Sequence, residues 1–282
     1  METAHSLYAL VVIYNISCPD SKTCQALSGL ESEKLHIFIY DNSVKDYGNR
    51  EYCLKIGWTY LGGTGNKGLS KAYNTCIDYL KQAGCTGYLC IFDDDSSIDQ
   101  DYFRVLDQEI SASGSGIYAP FLYSANRILS PFLLSEKHRT VLLKDEASAF
   151  AADRTKLSAI NSGMAVNLSL FDGYRYDEHI FLDGVDHSFI LDMRSAGSYV
   201  HILPYRCKHR FSGDEKPPLD VLDARFRIYV KDYSYIFRNR KLDYLILVGR
   251  RMLSLTVKYR SLRFFQIFIE KRQKERNGSK EK

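Results

Sequence analysis

Three consecutive aspartates, Asp93, Asp94 and Asp95, have the type and spacing that most directly predict chemistry in this chain. They follow the apolar run 88–92, which has the composition of a buried strand. Like charges at one strand end repel one another unless a cation or hydrogen-bond donors compensate them. Carboxylates two residues apart suit a hard divalent ion, so the pattern predicts a magnesium or manganese site at Asp93 and Asp95. The alternative is an acidic cluster that caps a helix over 100–110.

A second pair of carboxylates, Asp183 and Asp186, lies in the segment 181–187, which reads Phe-Leu-Asp-Gly-Val-Asp-His. Partial burial beside another acid raises the proton affinity of a carboxylate, so either residue could act as a general base. The alternative is a solvated helix start with Asp183 as its cap.

A glycine-rich stretch, Gly63 to Gly68, matches the GxGxxG pattern of dinucleotide-binding proteins. It follows the third predicted strand instead of the first, and Asp78 and Asp93 are not well placed to bind a ribose. A Walker loop is excluded because Leu69 stands where that motif has lysine. The stretch keeps a nicotinamide-dependent oxidoreductase as an alternative function.

Alternating strands and helices in the first hundred residues predict a parallel, doubly wound sheet that positions these side chains. The predicted strands cover 7–13, 36–40, 58–61 and 88–92, and the predicted helices end near Leu30 and span 69–82. Ligands bind beyond the carboxyl ends of such strands, where Asn15, Asp41 and the aspartates fall. Strands are also predicted at 116–122 and 163–168, whereas 124–158 gives an ambiguous pattern.

Composition narrows the class of protein. The chain has 282 residues, of which 45% are hydrophobic, and can bury a core without disulfides or metal. Its seven cysteines form no CxxC pair and are expected to be reduced. No apolar run is long enough to span a membrane, and residues 1–5 do not resemble a signal peptide, so a cytoplasmic location is expected.

The charge is distributed unevenly. From Arg238 onward the chain has 14 basic against 4 acidic residues, whereas residues 1–237 have 24 against 30. Apolar residues recur three or four apart over 243–269, which predicts an amphipathic helix or helix pair. A basic amphipathic tail favours an anionic membrane surface, and the interleaved aliphatic residues argue against nucleic acid. Alternatively, the apolar stripe packs on the rest of the chain or on a second copy in a homodimer.

Taken in order, these segments resemble glycosyltransferase family 2, in particular its rhamnosyltransferase-like branch, over about residues 7–240. The matching segments are Val12 to Asn15, Asp41 to Ser43, Asn66 to Asn74, Phe92 to Ser96, Ser162-Gly163, Phe171 to Tyr174 and Phe181 to Asp186. Phe92 to Ser96 is similar to the DxD motif of that family, and His209 falls where the family often has a late histidine.

The resemblance implies a role for each matching residue. Tyr14, Asn15, Asp41, Asn66, Gly68, Asp93 and Asp94 would contact the nucleotide sugar; Asp93, Asp95 and His209 would hold the metal. Asp186 would be the catalytic base, although Val185-Asp186 replaces the usual Glu-Asp pair and Asp183 lies close enough to compete. Asp192 stands where relatives often carry a basic residue.

The resemblance also implies an α/β GT-A fold, Rossmann-like and doubly wound, mixed in its second half, with a C-terminal helical extension. Residues 1–240 would be the catalytic domain, with a nucleotide-binding half (1–100) and an acceptor-binding half (101–240), and 241–282 the tail. The implied activity is sugar transfer with inversion from a donor such as dTDP-rhamnose or a UDP-sugar to a lipid-linked saccharide, in bacterial cell-surface polysaccharide synthesis. A non-catalytic membrane-binding module is the remaining alternative.

Overall fold

The computed structural model describes residues 4–30, 33–124, 127–208 and 217–278. Its strands are β1 (Leu7–Ile13), β2 (Leu35–Asp41), β3 (Thr59–Gly62), β4 (Tyr88–Asp93), β5 (Ile117–Ser124), β6 (Arg127–Ser130), β7 (Phe132–Leu134), β8 (Thr140–Leu142), β9 (Leu157–Ser158), β10 (Met164–Asn167) and β11 (Val200–Lys208). Its α-helices are α1 (Lys22–Ser28), α2 (Asn49–Ile56), α3 (Leu69–Gln82), α4 (Gln100–Ser113), α5 (Glu146–Phe150), α6 (Val185–Ser195), α7 (Leu219–Ile236), α8 (Lys241–Tyr259) and α9 (Arg263–Gly278).

An eight-stranded mixed sheet forms the centre of the molecule, in the order β11-β5-β10-β4-β1-β2-β3, with β6 paired to β5. Strands β4, β1, β2 and β3 are parallel, as predicted. Strand β10 then runs antiparallel to both β4 and β5. This reversal makes the second half of the sheet mixed, and it places the end of β4 beside the start of β10.

Strand β1 shows why the sheet lies at the centre of the core. Its residues are all buried and alternate between two clusters: Tyr8, Leu10 and Val12 pack on one face, and Leu7, Ala9, Val11 and Ile13 on the other. A strand covered on both faces needs continuous apolar sequence, which is the pattern that predicted it. All seven cysteines are free, and six of them are buried.

The first half of the chain agrees closely with its predicted elements. Helix α3 has the predicted bounds, because its buried residues recur at helical spacing. Helix α2 lacks such a signal: among its eight residues only Asn49 and Cys53 are buried, so its apolar pattern predicts no helix.

Within the ambiguous stretch 124–158, β6 joins the central sheet, whereas β7, β8 and β9 form a second small sheet in the order β8-β7-β9. The stretch also contains the short helix α5. These elements are only two to five residues long, and every residue of β8 is exposed. Elements this short and exposed carry little periodicity, which explains the ambiguous prediction.

The predicted tail consists of two helices, α8 and α9, that pack with α7 around a third apolar cluster. The buried members of this cluster are Phe226, Val230, Tyr233, Phe237, Tyr244, Val248, Met252, Phe264, Ile267 and Phe268. Arg260 ends α8 in a left-handed conformation. The prediction of a single apolar stripe over 243–269 is therefore wrong beyond α8, because the turn changes the helical phase. The buried residues of α9 are Phe264, Ile267 and Phe268, whereas Leu262, Phe265 and Ile269 are exposed.

Within the described residues, no helix combines the length and the apolar content that crossing a membrane requires. The assignment of 1–240 to one domain and 241–282 to a tail stays a prediction.

Candidate functional site

The carboxyl ends of β1 and β2 are joined by side-chain hydrogen bonds. The backbone N–H of Asn15 donates to Ser43 Oγ at 2.8 Å, and Asn15 Oδ1 accepts from the N–H of Val44 at 3.1 Å. Asn15 has a φ of 55°, a left-handed conformation that asparagine tolerates better than most residues. The preceding Tyr14 is half exposed. These bonds fix the backbone where a parallel sheet presents its ligand-binding edge.

Asp41, at the end of β2, is 4% exposed, and its carboxylate accepts three hydrogen bonds. The donors are the N–H of Ser43 at 2.8 Å, Asn49 Nδ2 at 3.0 Å and Tyr60 Oη at 3.1 Å. The Asp41 carboxylate therefore connects the loop after β2 to the first residue of α2 and to β3. Its contact with a nucleotide ribose, which the family resemblance implies, stays a prediction.

The aspartate triplet begins at the last residue of β4, and its backbone is held by the start of α1. Thr23 Oγ1 donates to the carbonyl of Asp93 at 2.5 Å, and Ser21 Oγ donates to that of Asp94 at 2.7 Å. Asp94 Oδ2 accepts from the N–H of Tyr14 at 3.3 Å, so this carboxylate points to the end of β1. Burial raises the pKa of Asp94, and the Tyr14 N–H acts in the opposite direction.

The helix-capping interpretation of the triplet is wrong. Asp99 is the N-cap of α4, and its side chain accepts from the N–H of Asp101. The triplet lies four or more residues earlier, in the turn after β4. Asp93, Asp94 and Asp95 are all half-buried there, and the neighbouring Ser96 hydroxyl is 2.6 Å from that of Ser162.

The fit of a divalent ion rests on the donor set after β4. Within the part of the chain that the structure describes, no three His, Cys, Asp or Glu side chains form a metal cluster. Magnesium-type ions, however, are commonly held by one or two carboxylates together with substrate phosphates and water. Asp93 and Asp95 fit that pattern. His209 lies outside the described residues; the last residue before it that is described, Lys208, pairs with Ser97.

Three consecutive backbone N–H groups at the end of the glycine-rich stretch and the start of α3 are engaged by acceptors within the protein. The N–H of Lys67 donates to Asn42 Oδ1 and that of Gly68 to Asn66 Oδ1, both at 3.0 Å. The N–H of Leu69 donates to the carbonyl of Phe181 at 2.7 Å. The dinucleotide interpretation is therefore unsupported, because these N–H groups at the start of α3 are already used.

Gly68 instead permits a close approach of two segments. It has a φ of 85°, and a Cβ there would lie 2.5 Å from the carbonyl oxygen of Phe181. Ser70 Oγ also donates to the carbonyl of Ile180 at 2.6 Å. These contacts hold the start of α3 against the segment that carries Asp183.

Asp232, in the middle of α7, holds the same segment from the other side. Its side chain is 0% exposed and accepts from the N–H groups of Phe181 (3.1 Å), Leu182 (2.8 Å) and Asp183 (2.9 Å). Three donors compensate the cost of burying this charge. The sequence pattern did not single out Asp232; a lone acid among the aromatic residues of an amphipathic helix was the available signal.

Asp183 forms a bidentate ion pair with Arg225 of α7, at 2.6 and 3.0 Å. Burial raises the pKa of Asp183 to about 6, although the positive charges of Arg225 and Arg251 act in the opposite direction. Asp183 is not the helix cap that the alternative interpretation requires, since Gly184 occupies that position with a φ of 81°.

Asp186 lies in the first turn of α6 and is half-buried. Tyr73 of α3 is a fully buried tyrosine whose hydroxyl accepts from Asn161 Nδ2 at 3.3 Å. Burial raises the pKa of Tyr73 well above its usual value, and the charges of Asp93 and Asp186 add to this effect. The end of β4 and the start of α6 therefore both lie within electrostatic range of Tyr73.

Asp192 lines a separate cleft of about 350 Å³, together with Tyr174, Asp177 and Arg238. Burial raises the pKa of Asp192, and the charge of Asp177 adds to the effect. Arg194, on the same helix, is directed elsewhere and donates to the carbonyl of Leu134 at 3.0 Å.

The family model described as glycosyl transferase family 2 matches residues 12–172, which is more than half of the chain. The chain belongs to glycosyl transferase family 2. The matched region runs from β1 to the residues after β10 and includes the aspartate triplet, whereas Asp183 and Asp186 lie beyond it. A search of curated proteins gave no match.

Solved structures similar to this chain share its fold. GalNAc-T7 with UDP, GalNAc and Mn2+ has 15% sequence identity and a TM-score of 0.55, over 84% of this chain and 51% of that chain. The mannosyltransferase PcManGT from Pyrobaculum calidifontis, in complex with GDP-Man and Mn2+, has 13% identity and a TM-score of 0.55 over 83% and 64%. S. aureus TarS 1–349 in complex with UDP has 13% identity and a TM-score of 0.53 over 81% and 65%.

These likenesses identify the GT-A fold, as predicted. The chain spans about half to two thirds of the length of the three solved chains.

Proposed function

We propose that this chain transfers a sugar from a nucleoside-diphosphate sugar to a saccharide acceptor, with inversion at the anomeric carbon. One observation carries the proposal: hydrogen bonds connect the turn after the aspartate triplet, through the segment 161–162, to Tyr73 of α3, and they also connect the start of α3 to the segment that leads to Asp186. A displacement with inversion needs stabilisation of the leaving group on one face of the sugar and a base on the other, and the proposal assigns these roles to Asp93 and Asp186.

The donor binds across the carboxyl ends of β1, β2 and β4. Tyr14, Asn15 and Asp41 lie at the first two strand ends, and Asn66 and Gly68 lie at the start of α3. Two of the solved structures named above contain UDP and one contains GDP-Man, which supports a nucleotide-sugar donor. The donor position agrees with the preference of ligands for the carboxyl edge of a parallel sheet.

Asp93 and Asp95 hold a magnesium or manganese ion in this proposal. When bound, that ion supplies Lewis-acid stabilisation of the negative charge that develops on the departing phosphate. Asp94 instead keeps the turn after β4 against the end of β1 through its hydrogen bond to Tyr14.

Asp186 takes the proton from the attacking hydroxyl, and Asp183 positions the loop before it. The bidentate pair with Arg225 engages both carboxylate oxygens of Asp183, which makes them poorly available to a substrate proton. Asp186 has no ion pair of this kind among the described residues.

A panel of sugar nucleotides, including dTDP-rhamnose, UDP-sugars and GDP-mannose, tests the proposal by donor hydrolysis and by thermal stabilisation with manganese or with chelator. We expect at least one sugar nucleotide to stabilise the chain in a metal-dependent way. If NAD or NADP stabilised the chain and no sugar nucleotide did, the oxidoreductase would be favoured. If no nucleotide stabilised the chain, a non-catalytic module would be favoured.

The helical extension attaches the enzyme to the inner face of an anionic membrane, where a lipid-linked acceptor in cell-surface polysaccharide synthesis would be found. Its predicted apolar stripe is largely used in packing on α7, but α8 exposes a different apolar face. Leu242, Leu253 and Val257 are 70%, 59% and 77% exposed and recur at helical spacing. Exposed apolar side chains on a basic helix are typical of interfacial attachment.

A further inference from the structure

A cleft of about 390 Å³ lies between helix α8 and the hairpin that joins β7 to β8. Tyr229 of α7 forms part of its wall. Four cationic side chains line it, and Asp243 is the acid among the lining residues that the structure describes; the cations are Lys137, Arg139, Arg250 and Arg251. The cleft is separate from the carboxyl edge of the sheet, and the proposed donor site does not use it.

Two of the arginines are available to a ligand. Lys137 pairs with Asp243 at 3.5 Å, and the guanidinium of Arg251 lies 5.0 Å from the ring centroid of Tyr229. Arg139 and Arg250 are exposed, and neither forms an ion pair with a carboxylate in the described ranges. The cleft therefore keeps an excess of positive charge after its internal pairing.

A buried histidine at the same cleft adds an unused polar group. His138 is 5% exposed, and its Nδ1 has no hydrogen-bond partner among the described residues. Burial lowers the pKa of His138 to about 3, with His187 and Arg240 acting in the same direction. The ring is neutral at ordinary pH, so it offers one donor and one acceptor nitrogen.

The cleft adjoins the proposed acceptor side of the active site. The charge of Arg251 reaches Asp183, whose pKa it helps to lower against the larger effect of burial. Tyr229 is close enough to both residues for their charges to affect its own pKa, which burial raises to about 12. The ring of His138, which lines the cleft, lies 5.7 Å from the ring of His187 in the first turn of α6. A ligand group in the cleft would therefore lie near the start of α6.

We propose that this cleft binds the phosphate group of a phosphorylated acceptor and so orients the acceptor hydroxyl toward α6. The identity of the ligand as a sugar acceptor rests on the proposed transferase function, whereas the binding of a phosphate group in the cleft does not. Arginine guanidinium groups match phosphate oxygens in bidentate geometry, and two of them suit a doubly charged group better than a single carboxylate. The phosphate would belong to a lipid-linked saccharide or to a soluble phosphorylated saccharide.

The test compares two double variants of the full chain by calorimetric titration with glycerol 3-phosphate. Arg139→Gln with Arg250→Gln removes two charges from the cleft. Lys241→Gln with Lys258→Gln removes two charges from the same helix α8 outside the cleft. We expect the first variant to weaken binding ~10-fold or more, because charge-assisted bonds are lost, and the second to change it less than ~2-fold. All four side chains are exposed, so both variants should fold.

Equal weakening in the two variants, or no binding by the unmodified chain to glycerol 3-phosphate or to vesicles, would overturn the proposal. Phosphatidylcholine vesicles with and without phosphatidic acid distinguish the sources. Cleft-dependent binding only to the phosphatidic acid vesicles assigns a lipid-borne phosphate, and cleft-dependent binding to glycerol 3-phosphate assigns a soluble one. Sugar-nucleotide stabilisation is measured on the same samples: its absence in the unmodified chain contradicts the transferase function without affecting the phosphate result.

Discussion

At the residue scale, the roles proposed for Asp183 and Asp186 give different predictions for substitution of the two carboxylates. We expect Asp186→Asn to lower transfer by ~10² to 10⁴-fold while leaving donor affinity nearly unchanged, because the base acts on the acceptor proton. Steady-state transfer and sugar-nucleotide titration on one preparation measure both quantities.

The companion variant Asp183→Asn keeps its shape but loses the charge that pairs with Arg225. We expect it to lower transfer less than Asp186→Asn does. If Asp183→Asn abolished transfer and Asp186→Asn did not, the base would be Asp183, whose pKa of about 6 already suits proton transfer near neutral pH.

The metal prediction also belongs to single residues. We expect chelator to remove activity and added magnesium or manganese to restore it. Asp95→Ala should lower turnover by ~10²-fold or more, because stabilisation of the leaving group is lost. Asp101→Ala, which removes an exposed acid from the start of α4, is the matched control. Full activity in excess chelator would contradict this prediction.

At the element scale, Asp232 couples α7 to the loop before α6. We expect Asp232→Asn to lower the free energy of unfolding by about 1–3 kcal/mol, since the N–H groups of 181–183 lose a charged acceptor in the core. Turnover should fall more than donor affinity, because the loop positions the acceptor side. Chemical denaturation and the kcat-against-KM split measure these effects.

Asp220→Asn provides the control on the same helix. Asp220 is 91% exposed and pairs with Arg263 at the surface, so little change is expected. Equal behaviour of the two variants, or a loss of donor affinity alone in Asp232→Asn, would show that the buried carboxylate does not position this loop.

The elements differ in how far sequence could predict them. Strands β1 and β4 were predictable because burial on both faces demands continuous apolar residues. The carboxylates at 93–95 could be predicted as a candidate site because they come directly after the apolar residues of β4. Asp232 could not be predicted, since its three partners are backbone N–H groups 49 to 51 residues away, which leave no mark on the local pattern. The same holds for Tyr73, whose hydrogen-bond partner Asn161 lies 88 residues away in the sequence.

At the scale of the whole molecule, the helical extension has a buried apolar face and an exposed one, and the proposed membrane attachment uses the exposed face. One face packs in the apolar cluster around Phe226 and Phe237. Deletion after Asn239 would expose that cluster, so a change in flotation would not distinguish lost attachment from unfolding. Substitution of the exposed face is therefore the sharper test of membrane attachment.

We expect Leu253→Ser with Val257→Ser to reduce flotation of the full chain with anionic vesicles at low salt, because apolar area that enters the interface is lost. Val44→Ser with Leu54→Ser removes exposed apolar side chains, 61% and 72% accessible, far along the chain from α8. This control should float like the unmodified protein. No flotation of the unmodified protein, or equal flotation of both variants, would contradict attachment through α8. If the unmodified protein formed a concentration-dependent dimer and the α8 variant did not, a second copy of the chain would cover this face.

Hydrogen exchange with and without a stabilising sugar nucleotide and manganese tests the central claim most directly, because it locates the donor on the whole molecule. We expect protection at residues 12–15, 41–44, 64–68 and 93–97, the segments at the carboxyl ends of β1 to β4, and little change in α8. Protection confined to α8 and residues 137–140, or no protection at the strand ends despite stabilisation, would contradict a nucleotide-sugar site at this edge of the sheet.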